Sequence, residues 1–136
     1  MHEYSVALRI NGAKLDPTEV TTRLGLTPTQ VRTAGQLRSD KSVWNESMWE
    51  YEVRPKGKTY WASLGEGLET VLGAFESRIA TVQHYQSASH VFLWCGHFSS
   101  SFSGGPTFSP SLLKQLGEFG VELVLDTHFV DDSRDR

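Results

Sequence analysis

HVFLWCGHF, residues 90–98, carries apolar side chains on both faces of an extended chain. Successive side chains of a strand point to opposite faces. Val91, Leu93 and Cys95 therefore share one face, and Phe92, Trp94 and Phe98 share the other. A strand that is apolar on both faces belongs in the interior of a sheet or under cover on both sides. The other elements are read as its surroundings.

On the C-terminal side comes a Ser/Gly loop, residues 99–105, and then a helix start at Ser109-Pro110. Serine is a good N-cap, and proline at the first helical position loses nothing by lacking an N–H. Phe108 and Leu113 have the spacing of a hydrophobic staple. Leu112, Leu113, Leu116 and Phe119 supply the apolar side, Gly120 ends the helix, and Val121, Leu123 and Leu125 form a last strand. On the N-terminal side, Ser63 with Glu66 makes a capping-box pattern. Leu64, Leu68, Val71, Leu72, Phe75, Ile79 and Val82 follow at spacings of three and four. That stripe predicts one continuous helix of about five turns, which Gly65, Gly67 and Gly73 weaken unless packing holds it.

The first half reads less evenly. Tyr4, Val6, Leu8 and Ile10 alternate with Ser5, Ala7 and Arg9, a strand with one buried face that ends at Asn11-Gly12. Asp16, Pro17 and Glu19 mark a helix start, with Leu15 and Val20 as a staple, and Gly25 and Pro28 stop the helix. Gln30 to Thr33 reads as a short strand, and the polar stretch 34–42 as a loop. Trp49, Tyr51 and Val53 form one face of a strand whose other face is charged, closed by Pro55 and Gly57.

The order β-α-β-β-α-β-α-β predicts an α+β fold: a mainly antiparallel or mixed sheet with helices packed on one face. A ferredoxin-like core with an added αβ unit is the expected arrangement. Residues 1–130 are read as a single α+β domain, and 131–136 as a charged tail that frays.

The chain has 136 residues, is 38% hydrophobic and carries a formal net charge of −3. The length predicts a real core without disulfides, and the charge offers no global attraction to nucleic acid or an anionic membrane. The lone Cys95 allows no intrachain disulfide and suits a reducing cytoplasm. No signal-peptide pattern opens the chain, and the longest apolar run, Val91 to Cys95, is far too short to span a bilayer.

LDPTEVTTRLGLTPTQV after Asn11-Gly12, followed by Gly35 and Trp44, resembles the opening of a family of small bacterial proteins, the domain of unknown function 4279. FSPSLLKQLGEFGVELVLD is similar to that family's final helix and strand, with Asp126 as the closing aspartate. Thr127-His128-Phe129 only loosely matches the aromatic residue usual just beyond it. The resemblance implies a cytoplasmic domain and brings no catalytic residues with it. Some small bacterial domains of this kind stand beside toxin systems as immunity proteins.

Four features bear on chemistry. Cys95 and His97 point to the same side of one strand, roughly 6–7 Å apart at Cβ from the strand rise. A thiolate–imidazole pair needs closer contact and a third orienting group, so the simpler reading is a buried apolar Cys95 and a strand-end His97. Ser103-Gly104-Gly105-Pro106 before a helix lacks both the P-loop and the dinucleotide patterns and reads as a connector. The five histidines show no metal-ligand spacing, so neither a metal nor a cofactor is expected. Residues 32–58 hold six basic side chains among Trp44, Trp49 and Tyr51, but four acidic ones leave a net of +2. A mixed-charge sheet face fits better than a single-strand nucleic-acid site.

Tryptophan is enriched both in cores and at interface hot spots. Trp94 and Trp49 fall on buried strand faces. Trp44 and Trp61 flank loops and are, with Arg38 and the loop residue Phe102, the binding candidates. The favoured function is a non-catalytic binding or protein-interaction module, immunity-like or self-associating. The alternatives are a small enzyme using Cys95 and His97 near the Ser/Gly loop, and a weak single-strand nucleic-acid binder through 32–58.

Overall fold

The computed structural model describes residues 1–131; apart from Asp131, the charged run 131–136 lies outside the described residues. The chain runs β1 (His2–Gly12), α1 (Pro17–Leu24), β2 (Gln30–Arg32), β3 (Leu37–Ser39), β4 (Ser42–Val43), β5 (Ser47–Val53), α2 (Leu64–Phe75), α3 (Ile79–Gln86), β6 (His90–Ser99), α4 (Pro110–Phe119) and β7 (Glu122–Phe129). Five strands make one mixed sheet in the order β2-β5-β1-β6-β7, and β3 and β4 form a separate hairpin. β6 pairs antiparallel with β1 on one edge and parallel with β7 on the other. The two-faced stretch 90–98 is thus internal to the sheet, as its pattern predicts. The parallel β6–β7 pair requires a crossover, and α4 supplies it.

The register explains why all the helices lie on one face. Tyr4, Val6, Leu8 and Ile10 stand opposite His97, Cys95, Leu93 and Val91. Val6, Leu8 and Ile10 also stand opposite Val53, Tyr51 and Trp49. This face shares one core with Val20 and Leu24 of α1, Leu64, Leu68, Val71 and Phe75 of α2, Val82 and Tyr85 of α3, and Leu112 and Phe119 of α4. Each such side chain contributes about 1.5–3 kcal/mol on full burial. The caps form as read: Asp16 accepts from the Thr18 N–H at 3.0 Å, Ser63 from Glu66 at 3.3 Å and Ser109 from Leu112 at 3.1 Å. Gly25 and Gly120 end their helices with φ of 68° and 76°.

Four expectations need correction. The five-turn helix is two helices: a 3-10 turn, Glu76–Arg78, separates α2 from α3. α2 lies over β1 and β5 while α3 lies over β6, so the break lets one apolar stripe follow a twisted sheet. Arg78 secures it by donating to the Leu24 carbonyl at 2.6 Å and the Ala74 carbonyl at 2.9 Å. Second, the stretch 34–42 is not all loop but contains the β3–β4 hairpin. Its backbone is tied by Gly35 N–H to the Trp44 carbonyl and Trp44 N–H to the Gln36 carbonyl, both at 2.9 Å. Third, Leu113 does not join the apolar side of α4; it is 54% exposed.

The fourth correction concerns Trp61, which is no surface residue. It is 8% exposed, exchanges backbone hydrogen bonds with Tyr4 and donates its indole N–H to the Val53 carbonyl at 2.9 Å. Gly67 makes room for it. A Cβ there would sit 2.7 Å from Val6 Cγ2 and 3.1 Å from Trp61 Cδ1, so this helix glycine allows α2 to lie against β1.

Candidate functional site

At one corner of the sheet, β2 and the β3–β4 hairpin bring two arginines onto one tryptophan. The Arg32 guanidinium lies 4.1 Å from the Trp44 ring centroid, and that of Arg38 lies 5.0 Å away. Arg32 comes from β2, where it faces Met48 of β5. Arg38 and Trp44 come from the two sides of the hairpin, whose turn out of β2 uses Gly35 at φ 90°. Stacking of this kind orders a guanidinium without consuming its N–H donors. Among the described residues, neither Arg32 nor Arg38 forms an ion pair; the carboxylate-bound arginines are Arg9, Arg23 and Arg54.

Both guanidiniums line a pocket of about 200 Å³ with Asn11, Val43, Trp44, Glu46 and Met48. The Oδ1 of Asn11 is buried and has no hydrogen-bond partner among the described residues. Leu37 pairs with Val43 across the hairpin, and the two are 75% and 47% exposed. The corner therefore offers guanidinium N–H donors beside an uncovered apolar pair. Of the sequence candidates, Trp44 and Arg38 meet here. Arg32 and Asn11 belong with them but carry no spacing signal, because the hairpin closes the distance.

Cys95 and His97 do share a face, but they do not form a reactive pair. Cys95 is fully buried, and burial pushes its thiol up to about 12, so the thiolate is scarce at neutral pH. A thiol-reactive aromatic disulfide is expected to leave Cys95 unmodified in the native chain and to label it in denaturant. Native labelling on a timescale of minutes contradicts this placement.

His97 is instead joined to His2, ring nitrogen to ring nitrogen at 2.8 Å (His97 Nε2 to His2 Nδ1). The other His2 nitrogen lies 3.0 Å from the Ser103 carbonyl, which only accepts. A neutral His2 therefore receives at Nδ1, and His97 donates. Tyr4 stacks on His97 with centroids 4.8 Å apart. Burial, and then the neighbouring His2, hold the His97 imidazole below the ordinary histidine range. The unfolded chain thus takes up a proton at His97 before the folded chain does. Stability present above about pH 6.5 is expected to fall as the pH drops. His97→Gln should flatten that loss in urea titrations at about pH 7.5 and about pH 5; an unchanged slope contradicts it.

Phe102, the remaining candidate, is 95% exposed and stacks at 4.7 Å on Phe129 of β7. It is far in the fold from the arginine corner, on the opposite edge strand's side of the sheet. A second, larger pocket of about 690 Å³ lies between α2 and α4, walled by Leu72, Ile79 and Phe119 and rimmed by Glu69, Glu76 and Glu118. Among the described residues, no three His, Cys, Asp or Glu side chains gather as a metal site. None of their helices is long and apolar enough to cross a membrane.

Comparison with known proteins gives one match. No curated protein and no solved structure matches the chain. The sequence model of a family described as a domain of unknown function, DUF4279, matches residues 2–130. That span takes in every strand and helix from β1 to β7, and the chain belongs to the DUF4279 family.

Proposed function

We propose that the chain is a non-catalytic binding module that engages a protein partner through the Arg32–Trp44–Arg38 corner. The observation that carries this reading is the pair of guanidiniums ordered on one indole, with no carboxylate bound to either among the described residues. Charged groups preorganised beside exposed apolar side chains are the composition of an interface anchor. The enzyme alternative draws no support from a buried thiol held at about 12. The nucleic-acid alternative is weakened because Arg54 is bound to Glu52 at 3.0 Å and Glu46 stands in the pocket itself. An immunity-like role is one form such binding takes, and the unpaired Cys95 suits the cytoplasm.

For the scaffold, we read β1, α1, β2, β5, α2–α3 and β6 as a ferredoxin-like unit extended by α4 and β7. The supporting features are the antiparallel order β2-β5-β1-β6 and helices confined to one face. The binding reading is tested by a photoreactive side chain placed at Leu37 in the full chain and illuminated in its own host. A discrete crosslinked partner is expected from Leu37 and not from Lys114 on α4, and Arg32→Ala/Arg38→Ala is expected to abolish it. Equal crosslinking from both positions, or a product indifferent to the two arginines, overturns the reading.

A further inference from the structure

The chemistry of the corner is specific enough to name what it receives. We propose that the Arg32–Trp44–Arg38 pocket takes a single acidic side chain, aspartate or glutamate, from a segment of a partner protein whose neighbouring apolar residue rests on Leu37 and Val43. This rests on the binding reading above and gives it a ligand class.

Three observations lead to a carboxylate on a protein. Two guanidiniums against one carboxylate, Glu46, leave the pocket positive, and a guanidinium fork matches the two oxygens of a carboxylate. The volume, about 200 Å³, is below the range of small-molecule and cofactor pockets, roughly 300–1,000 Å³, and suits one anchoring side chain. The exposed Leu37–Val43 pair at its edge matches a polypeptide with alternating acidic and apolar residues; a phosphate or a nucleic-acid backbone brings no apolar group to cover it. Asn11 adds a further preference. Its buried, unpartnered Oδ1 is relieved if the carboxamide turns toward an incoming N–H, which a peptide has beside its acidic side chain.

A second copy of the chain is the less suitable occupant. Its Glu69, Glu76 and Glu118 cluster rims a hollow, and two concave sites do not fill one another.

The test follows the Trp44 indole and the Arg32 and Arg38 Nε–H signals by NMR in the intact 136-residue chain. The probes are a capped peptide with Leu-Glu-Leu at its centre, its Leu-Gln-Leu twin, inorganic phosphate and a short oligothymidylate. The Glu peptide is expected to shift all three signals and to bind at least about tenfold more tightly than the Gln twin, the difference made by a charge-assisted hydrogen bond. Arg32→Gln/Arg38→Gln, with Trp44 retained as reporter, is expected to remove the response. Equal binding of the twins, a response to phosphate or oligothymidylate but not to the Glu peptide, or no response to any probe overturns the proposal. So does a shift that depends on protein concentration alone, the mark of self-association. If the Leu37 crosslink nevertheless persists and needs both arginines, the binding reading survives and only the ligand class has failed.

Discussion

Trp61→Ala is expected to lower the free energy of unfolding by about 3–5 kcal/mol, the range for emptying a buried aromatic site. Trp61 is 8% exposed, and its ring contacts Gly67 on α2 so closely that even a methyl group there would be crowded, at 3.1 Å. Truncation opens a cavity between α2 and the start of β1 that a rigid helix and a central strand cannot collapse into. It also removes the indole N–H that donates to the Val53 carbonyl at 2.9 Å, the loss of a buried hydrogen bond. Urea unfolding monitored by far-ultraviolet circular dichroism measures the loss. A change below about 1 kcal/mol shows that Trp61 is not a core residue. Gly67→Ala supplies the internal check: in the parent it meets both Val6 and Trp61, and in the Trp61→Ala background half of that crowding is gone. Its cost should therefore shrink, while independent sites would add.

What was legible before the structure follows the range of each interaction along the chain. Strand faces and caps are local. The alternation in 4–10 and 90–98 and the Asp16, Ser63 and Ser109 caps are decided by residues within one or two turns of each other. The break after Phe75 was not legible, because both helices keep the same apolar spacing and the bend is made by Arg78 reaching Leu24, 54 residues away. Nor was the candidate site. The hairpin at 37–43 has too few residues for a period-two signal, and without the hairpin nothing places Arg38 or Arg32 on Trp44. His2 with His97, 95 residues apart, shows the same limit. So does Trp61, whose loop-like flanks hid a two-bond bridge to Tyr4.

Arg9→Leu is the second change with a large expected effect, and it bears on where this protein does and does not bind. On the face of the sheet without helices, Arg9 stands opposite Glu50 across the β1–β5 pair. It donates its Nε–H to Glu50 at 2.6 Å and lies 4.3 Å from the Trp94 ring centroid. The side chains are 26% and 7% exposed, so the carboxylate is the buried partner. Removing the arginine leaves a buried charge uncompensated, which costs about 3–5 kcal/mol in such pairs; the partial exposure of Arg9 puts the expectation at about 3 kcal/mol, the lower end of that range. Glu50→Leu should cost less, since Arg9 keeps both a route to water and the Trp94 ring. Arg9→Leu/Glu50→Leu should recover most of the loss, because apolar residues of similar size replace buried pairs well. A double-mutant cycle in urea reads the coupling directly, and additive costs refute it. A large coupling fixes this pair beside Trp94, which stands opposite Ala7, and on the same strand face Ser5 and Ala7 are only 7% and 1% exposed. The centre of the open sheet is then closed by its own side chains. Among the described residues, charge without a carboxylate partner is found instead at the hairpin corner, where Arg32 and Arg38 rest on Trp44.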